Sequence, residues 1–465
     1  MPNTRKKHAR LQRPPDPTAG LPPLNRHAAG IDVGSAEHDV AVPPDRSPEP
    51  VRRFASVTAD LHALADWLHA CHIDTVVMES TGVYWIPLFP ILEARGFAVH
   101  LVNARHAKNL PGRKTDIADC QWRQKLHTFG LLNSSFRPTD DICVLRSYLR
   151  QRDTLISAAA TCIQHRQKAL TEMNVQLANV ISDISGVTGL AILRALLAGE
   201  RDPAMLAAFK DDRIKASTHT IAKSLEGNWR EELLFHLRQS LELYECYQQK
   251  IAECDTQIEA HLLTFDSKIE GSAPPLPTPK RRPKKARRHE PHFDLHTQLY
   301  RISGVDLTRI DGIEVLTAQT LIAEIGLDMS RWKSEKHFAS WLGLCPDNRI
   351  SGGKVLTRGT RDVVNRAADA LRLAAQNLLH SKSALGAHYR RLRARLGAPK
   401  AITAMAHKLA RLVYRMLKFG QQYVDKGIEH YEARFRQQRL QWLQRQAREL
   451  NLQLVPNQPV PSPVS

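Results

Sequence analysis

An α/β domain, a long-helical middle and a mainly helical C-terminal domain make up the fold class that the sequence predicts. Three observations carry it. Two short apolar runs close on acids, Ala28-Ala29-Gly30-Ile31-Asp32-Val33-Gly34 and Thr75-Val76-Val77-Met78-Glu79-Ser80. From Ile142 onward apolar positions recur in steps of three and four, the period of a packed helix. A Pro- and Arg/Lys-rich stretch from about Gly271 to His292 separates that middle from the C-terminal domain.

Residues 1–26 are basic and carry prolines, and read as a disordered extension. The domain at 27–137 begins with the strand ending in Asp32, which turns at Gly34-Ser35 into a second strand over 38–42, with a third over 52–57. Leu61, Leu64, Ala65 and Leu68 then lie at helical spacing, with Asp60 near the helix start. The Glu79 strand, a helix over 85–95, a strand over 97–102 and a helix carrying Asp116 and Asp119 complete the domain. That order is the ribonuclease H-like one.

Asp116 and Asp119 stand at i and i+3 in Lys114-Thr115-Asp116-Ile117-Ala118-Asp119, on one helix face. If the two acid-tipped strands are neighbours, Asp32, Glu79, Asp116 and Asp119 can meet. Like charges so crowded are costly unless a cation neutralises them, so the set reads as an oxygen-ligand site for Mg²⁺, with Mn²⁺ as the other candidate. Two-metal phosphoryl transfer uses such an arrangement. Each acid taken singly is more often a turn former or a helix cap.

In the middle segment, 138–270, the positions Ile142, Leu145, Leu149, Arg152, Ile156, Ala159, Ile163, Arg166, Leu170, Met173, Leu177, Val180 and Ile184 form a heptad seam. Its two arginines suggest a stalk with a wet or RNA-facing stretch. A second long helix is expected over 229–265, able to fold back on the first as an antiparallel coiled-coil hairpin. The linker, 271–295, has prolines that forbid continuous helix and a charge run suited to a tether or to phosphate contacts.

The C-terminal domain, 296–428, contains a helix-hairpin-helix-like segment from Leu307 to Gly326, in which Glu314 stands where such a motif commonly has a second glycine. That segment serves either DNA phosphate contact or packing. Trp332, Phe338, Trp341 and Leu342 read as core. Asn348-Arg349-Ile350-Ser351-Gly352-Gly353-Lys354 sets a hydroxyl before two glycines and a lysine, which permits close approach of a phosphate. A helix with core positions Val363, Ala367, Leu371, Ala374 and Leu378 comes after it. Two basic faces lie beyond, one with Arg390, Arg391 and Arg393, another with Lys408, Arg411, Arg415 and Lys418. A basic helix and disordered tail occupy 429–465.

The chain has 66 Lys and Arg against 47 Asp and Glu, a formal net charge of +19, which favours a polyanionic partner. No apolar stretch is long enough to span a bilayer. Seven scattered cysteines give neither a zinc spacing nor an evident disulfide framework, so a reducing cytoplasm is the expected compartment. Gly112-Arg113-Lys114-Thr115 lacks the upstream glycine of a P-loop.

Ile31-Asp32-Val33-Gly34-Ser35, Met78-Glu79-Ser80-Thr81-Gly82 and Lys114-Thr115-Asp116-Ile117-Ala118-Asp119 resemble the three signatures of the Asp-Glu-Asp-Asp insertion-sequence transposases, themselves similar to the junction resolvase RuvC. Leu342-Gly343-Leu344-Cys345-Pro346 and Ser351-Gly352-Gly353-Lys354 resemble that family's C-terminal serine domain. The resemblance implies a RuvC-like catalytic domain and Mg²⁺-dependent strand cleavage. It further implies a serine nucleophile, best matched by Ser351, and a structured guide RNA made from the element's end. DNA partners and a homodimer assembling to a tetramer belong to the same expectation. Lys114, Lys354, Arg390, Arg391 and Arg393 are the candidate nucleic-acid contacts. Two other readings stay open: a metal-dependent Holliday-junction-type endonuclease that uses water, and a non-catalytic nucleic-acid-binding assembly protein.

Overall fold

The computed structural model describes residues 20–80, 82–103, 116–269, 289–357, 359–361, 363–420 and 427–455; the side chains of residues 116–118 and of Arg349 are outside the description. Lys114, the N-terminal extension up to residue 19, most of the basic linker and the last ten residues lie outside it as well. The chain divides into two compact units, Met1–Arg137 and Pro138–Ser465.

The first unit is built on a five-stranded sheet of order β3-β2-β1-β4-β5. Its strands are β1 (Ala28–Val33), β2 (Glu37–Ala41), β3 (Val51–Ala55), β4 (Thr75–Glu79) and β5 (Ala98–Val102), with α1 (Thr58–Ala70) before β4 and α2 (Leu88–Ala94) before β5. The first three strands pair antiparallel, while β1, β4 and β5 run parallel. This is the order expected from the sequence. The helix expected over 85–95 is shorter, because Val83, Tyr84 and Ile86 lie in an exposed turn ahead of it.

Strand alternation separates two faces of this sheet. Ala29, Ile31, Val76, Met78 and Leu101 point to a core closed by Leu61, Leu64 and Leu68 of α1 and Leu88 and Leu92 of α2. The opposite face carries Gly30, Asp32, Thr75 and Glu79, and helix α3 (Asp116–Thr128) lies across it. Gly30 lets the helix come close: an added Cβ would run into the backbone of Cys120 and Gln124. At the far end His127 Nε2 is 2.8 Å from Thr75 Oγ1, and Leu24 and Asn25 donate backbone N–H groups to Thr128 O. The helix therefore runs against β1, its first turn toward the strand ends that carry the acids.

Gly30→Ala should cost ~1–3 kcal/mol of stability, the usual penalty of overpacking a rigid contact. It should also move α3 off the sheet. Thermal unfolding of the variant checks the first, and a drop in strand cleavage larger than the stability loss explains checks the second.

In the second unit the middle segment forms two paired helices, α4 (Asp140–Glu172) and α5 (Glu231–Leu263). They run antiparallel: His261 Nε2 meets Asp141 O, Asp255 meets Arg152, and Tyr244 meets Arg166 in order along the pair. The seam expected through Ile184 stops earlier. Asn174 adopts a φ of 56°, which breaks the helix, so Leu177, Val180 and Ile184 leave the line of α4 and pack among four short helices, Leu177–Val180, Val187–Leu197, Pro203–Ala207 and Thr218–Ser224.

The seam arginines are not wet. Arg152 is 4% exposed and gives Asp255 a two-point contact at 2.5 and 3.3 Å. Arg166 is fully buried, donates to Ser185 Oγ at 3.0 Å and lies 4.3 Å over the Tyr244 ring. Neither faces solvent, so the expected RNA-facing stretch is not at these residues. Removing one partner of a buried ion pair strands the other's charge, so Asp255→Ala should destabilise this unit by ~3–5 kcal/mol. Urea unfolding followed by circular dichroism measures it.

The remainder comprises α6 (Leu295–Ser303), α7 (Val315–Ile325), α8 (Glu335–Trp341), the hairpin of β6 (Arg349–Ser351) and β7 (Lys354–Thr357), α9 (Arg366–Asn377), α10 (Ala384–Leu396), α11 (Ala398–Phe419) and α12 (Gly427–Glu449). Trp332, Phe338 and Leu342 are buried, as expected of core, and Phe338 lies beside the Tyr414 ring. Val363 is not a core position: it precedes α9 and is more than a third exposed, whereas Ala367, Leu371, Ala374 and Leu378 are buried. On α11 three of the basic residues have protein partners while staying at the surface. Arg411 and Arg415 both grip Glu335 of α8, and Lys418 Nζ donates to Tyr414 Oη.

Candidate active site

The register of β1 against β4 pairs Gly30 with Val77 and Ile31 with Met78, so the next step sets Asp32 beside Glu79. Alternation points both carboxylates to the α3 face. There one side chain holds them together. Arg123 donates from Nη1 to Asp32 Oδ1 at 2.7 Å and from Nη2 to Glu79 Oε2 at 2.5 Å. Its side chain is only 7% exposed. Like charges about 4 Å apart repel by ~1 kcal/mol in bulk water and ~4 kcal/mol near a protein surface. The guanidinium between them cancels that cost. Burial works against the Arg123 charge, yet Asp32 and Glu79 hold its pKa above the ordinary arginine value.

Asp119 lies one turn before Arg123, at i and i+4 on the same face of α3. Gly30 packs between Cys120 and Gln124; Asp32 lies ~7 Å further along the strand and Asp119 most of a ~5.4 Å turn back along the helix. The two advance in the same direction. Asp116 opens the helix, and its side chain is outside the described residues. Of the four expected acids the structure thus joins Asp32 and Glu79 through one arginine and puts Asp119 on the adjoining turn.

Sequence reasoning passed over three neighbours. Arg123 is the first. Asp39 of β2 is the cross-strand partner of Asp32, 7% exposed, and takes Arg53 Nε and Nη2 at 2.9 and 3.2 Å. His38, also buried, accepts from Gly34 N at 3.3 Å. Burial pushes its imidazole below the ordinary value although the Asp32 carboxylate pulls the other way. The spacing of Asp119 and Arg123 was the signal available for the first; nothing in the pattern distinguished the other two.

The donors suit a hard divalent cation, since Asp32, Glu79 and Asp119 offer only carboxylate oxygen. Asp32 Oδ1 and Glu79 Oε2 converge on one guanidinium. Among the described residues no three of His, Cys, Asp or Glu are gathered at metal-binding distance.

Ser351 lies in the second unit, at the tip of the β6–β7 hairpin. It pairs with Lys354 across Gly352 and Gly353, whose φ angles of 53° and 76° form a two-residue turn open only to glycine-like residues. An added Cβ at either glycine meets nothing within 4 Å, so there is open space beside the turn. Ser351 and Lys354 are exposed, as are Ile350 and Leu356 beside them. Of the basic candidates, Arg390 donates to Leu379 O and Ser381 O, and Arg391 lies 3.8 Å over the Phe435 ring of α12. Arg393 is exposed on the last turn of α10.

No helix among the described residues is long and apolar enough to cross a membrane. No curated protein matches the chain. Residues 29–175 match the family model for Asp-Glu-Asp-Asp transposases of the IS110 type, and residues 306–390 match the model described as Transposase IS116/IS110/IS902 family. The first match spans the sheet with Asp32, Glu79 and α3, and the second spans the hairpin with Ser351. The chain accordingly belongs to the IS110-type transposases, enzymes that cleave DNA strands and transfer them.

Proposed function

We propose that the chain mobilises an insertion element by metal-assisted transesterification, with Ser351 as nucleophile and a structured RNA as guide. The observation that carries the chemical half is the convergence of Asp32 and Glu79 on one guanidinium at neighbouring strand ends. Asp32, Glu79, Asp116 and Asp119 are the residues that would hold a divalent ion, Mg²⁺ or Mn²⁺. Such an ion supplies Lewis-acid polarisation of the scissile phosphate.

The chain's own groups do the rest. Ser351 Oγ forms a bond to phosphorus as the ester bond to the departing DNA oxygen breaks, and the serine proton ends on that oxygen. Lys354 stabilises the charge that develops on the phosphoryl oxygens. The open two-glycine turn lets a phosphate approach the hydroxyl without meeting a Cβ. Arg393 and Lys354 offer exposed cations to DNA or RNA backbone. Arg434, Arg436 and Arg439 of α12 are exposed as well and offer further cations to a phosphate backbone.

The helix-hairpin-helix-like segment reads as packing. Gly312, at a φ of 90°, is turned toward α9, where an added Cβ would lie 2.5 Å from Ala374 O, and Glu314 occupies the N-cap of α7. The paired helices α4 and α5 are read as a coiled-coil stalk for assembly of a dimer into a tetramer.

Purified full-length chain should retain a defined RNA transcribed from the element's end. Its affinity should fall steeply with salt, because each neutralised phosphate releases a counterion. Site-specific recombination by RNA-free protein would remove the guidance from this reading. Cleavage that persists in excess chelator would remove the metal.

A further inference from the structure

Arg123 stands where a divalent ion would bind. Its two terminal nitrogens contact Asp32 Oδ1 and Glu79 Oε2, the oxygens a bridging cation needs. The fork is nearly sealed from water, and its Nε is buried with no hydrogen-bond partner. A strut whose only task was to stiffen the fold would be expected to use that third donor. Here the contacts are confined to the two carboxylates, and the backbone of α3 brings the side chain in from the same helix face as Asp119.

We propose that Arg123 is the resident counter-ion of the carboxylate site, and that a divalent ion taken up by Asp32 and Glu79 displaces its guanidinium, so that metal occupancy and the position of Arg123 are linked. The inference rests on the metal reading of the same site. Both cations seek the same two oxygens, and a guanidinium left beside a doubly charged ion is repelled by it. Before the ion arrives, Arg123 keeps the acids assembled at their strand ends; its competition lowers the apparent metal affinity by the fraction of molecules in which the fork is engaged. Asp39, already clamped by Arg53, does not offer the fork an alternative carboxylate. Arg123 is therefore a positioning residue, acting through Asp32 and Glu79.

The test uses metal-stripped full-length chain titrated with Mn²⁺ alone, read by calorimetry and by the loss of the free-ion electron paramagnetic signal. Arg123→Gln should bind Mn²⁺ about tenfold more tightly than wild type, and Arg123→Lys, which keeps the charge but cannot fork, should fall between them. In wild type, Mn²⁺ should also raise phenylglyoxal modification of Arg123, read by peptide mass spectrometry, since the displaced fork becomes reachable. This second measurement needs no variant and stands if Arg123→Gln does not fold. Normal Mn²⁺ binding with unchanged Arg123 labelling, or equal affinity in a folded Arg123→Gln protein, overturns the proposal and leaves the metal site intact. Absence of Mn²⁺ binding in wild type overturns the metal reading, and this inference with it.

Discussion

Strand cleavage falls by on the order of 10³-fold or more when Asp32 is replaced by Asn or Glu79 by Gln, because an amide holds a divalent ion poorly and several kcal/mol of charge stabilisation are lost. The fold persists in both variants. Asn and Gln keep an oxygen that can accept from Arg123, and the sheet core behind them, built on Ile31, Val76 and Met78, is untouched. The check is a cleavage assay on element-end DNA beside a thermal melt of each variant. A variant that melts like wild type and cleaves at the wild-type rate would show that the acid pair has no part in the chemistry. Asp119→Asn should follow the same course, since Asp119 shares the helix face of Arg123.

Ser351→Ala eliminates covalent protein–DNA product and recombination while leaving DNA and RNA affinity near wild type. The hairpin tolerates the change: Ser351 is exposed, and its ladder contact with Lys354 is made by backbone. Its turn depends on Gly352 and Gly353 at positive φ, not on the serine side chain. The paired measurements are nitrocellulose or gel-shift affinity and denaturing-gel detection of the adduct. Loss of adduct with unchanged affinity identifies a reacting hydroxyl. Equal loss of both identifies a docking residue instead.

The sheet was legible because its two acid-tipped strands are short apolar runs and turns separate the strands in order. The parallel register then put Asp32 beside Glu79 without further information. Arg123 was not legible, since one arginine in an amphipathic helix reads as a solvated residue until the helix is known to cross the sheet on that face. Gly30 holds the explanation, because a missing side chain there admits α3, yet a lone glycine in a strand does not announce what approaches it. The middle segment shows the same limit. Periodicity placed Arg152 and Arg166 on the packed face of α4, but that Arg152 meets an acid depended on Asp255 more than one hundred residues later, and that Arg166 is covered depended on Ser185 and Tyr244. It also ran past the true end of the helix, because the apolar spacing continues through Asn174, where the backbone turns left-handed. On α11 Arg411 and Arg415 also pair with Glu335, a pairing between distant helices that spacing does not encode.

The most direct measurement is mass spectrometry of the protein–DNA adduct trapped during cleavage of element-end DNA in the presence of Mg²⁺. A phosphodeoxynucleotide on the peptide that contains Ser351, absent in excess chelator and absent from Asp32→Asn, is the predicted result. An adduct on another residue, or cleaved ends with free phosphate and no adduct at any time point, would contradict serine transesterification and leave hydrolysis by water as the chemistry of this site.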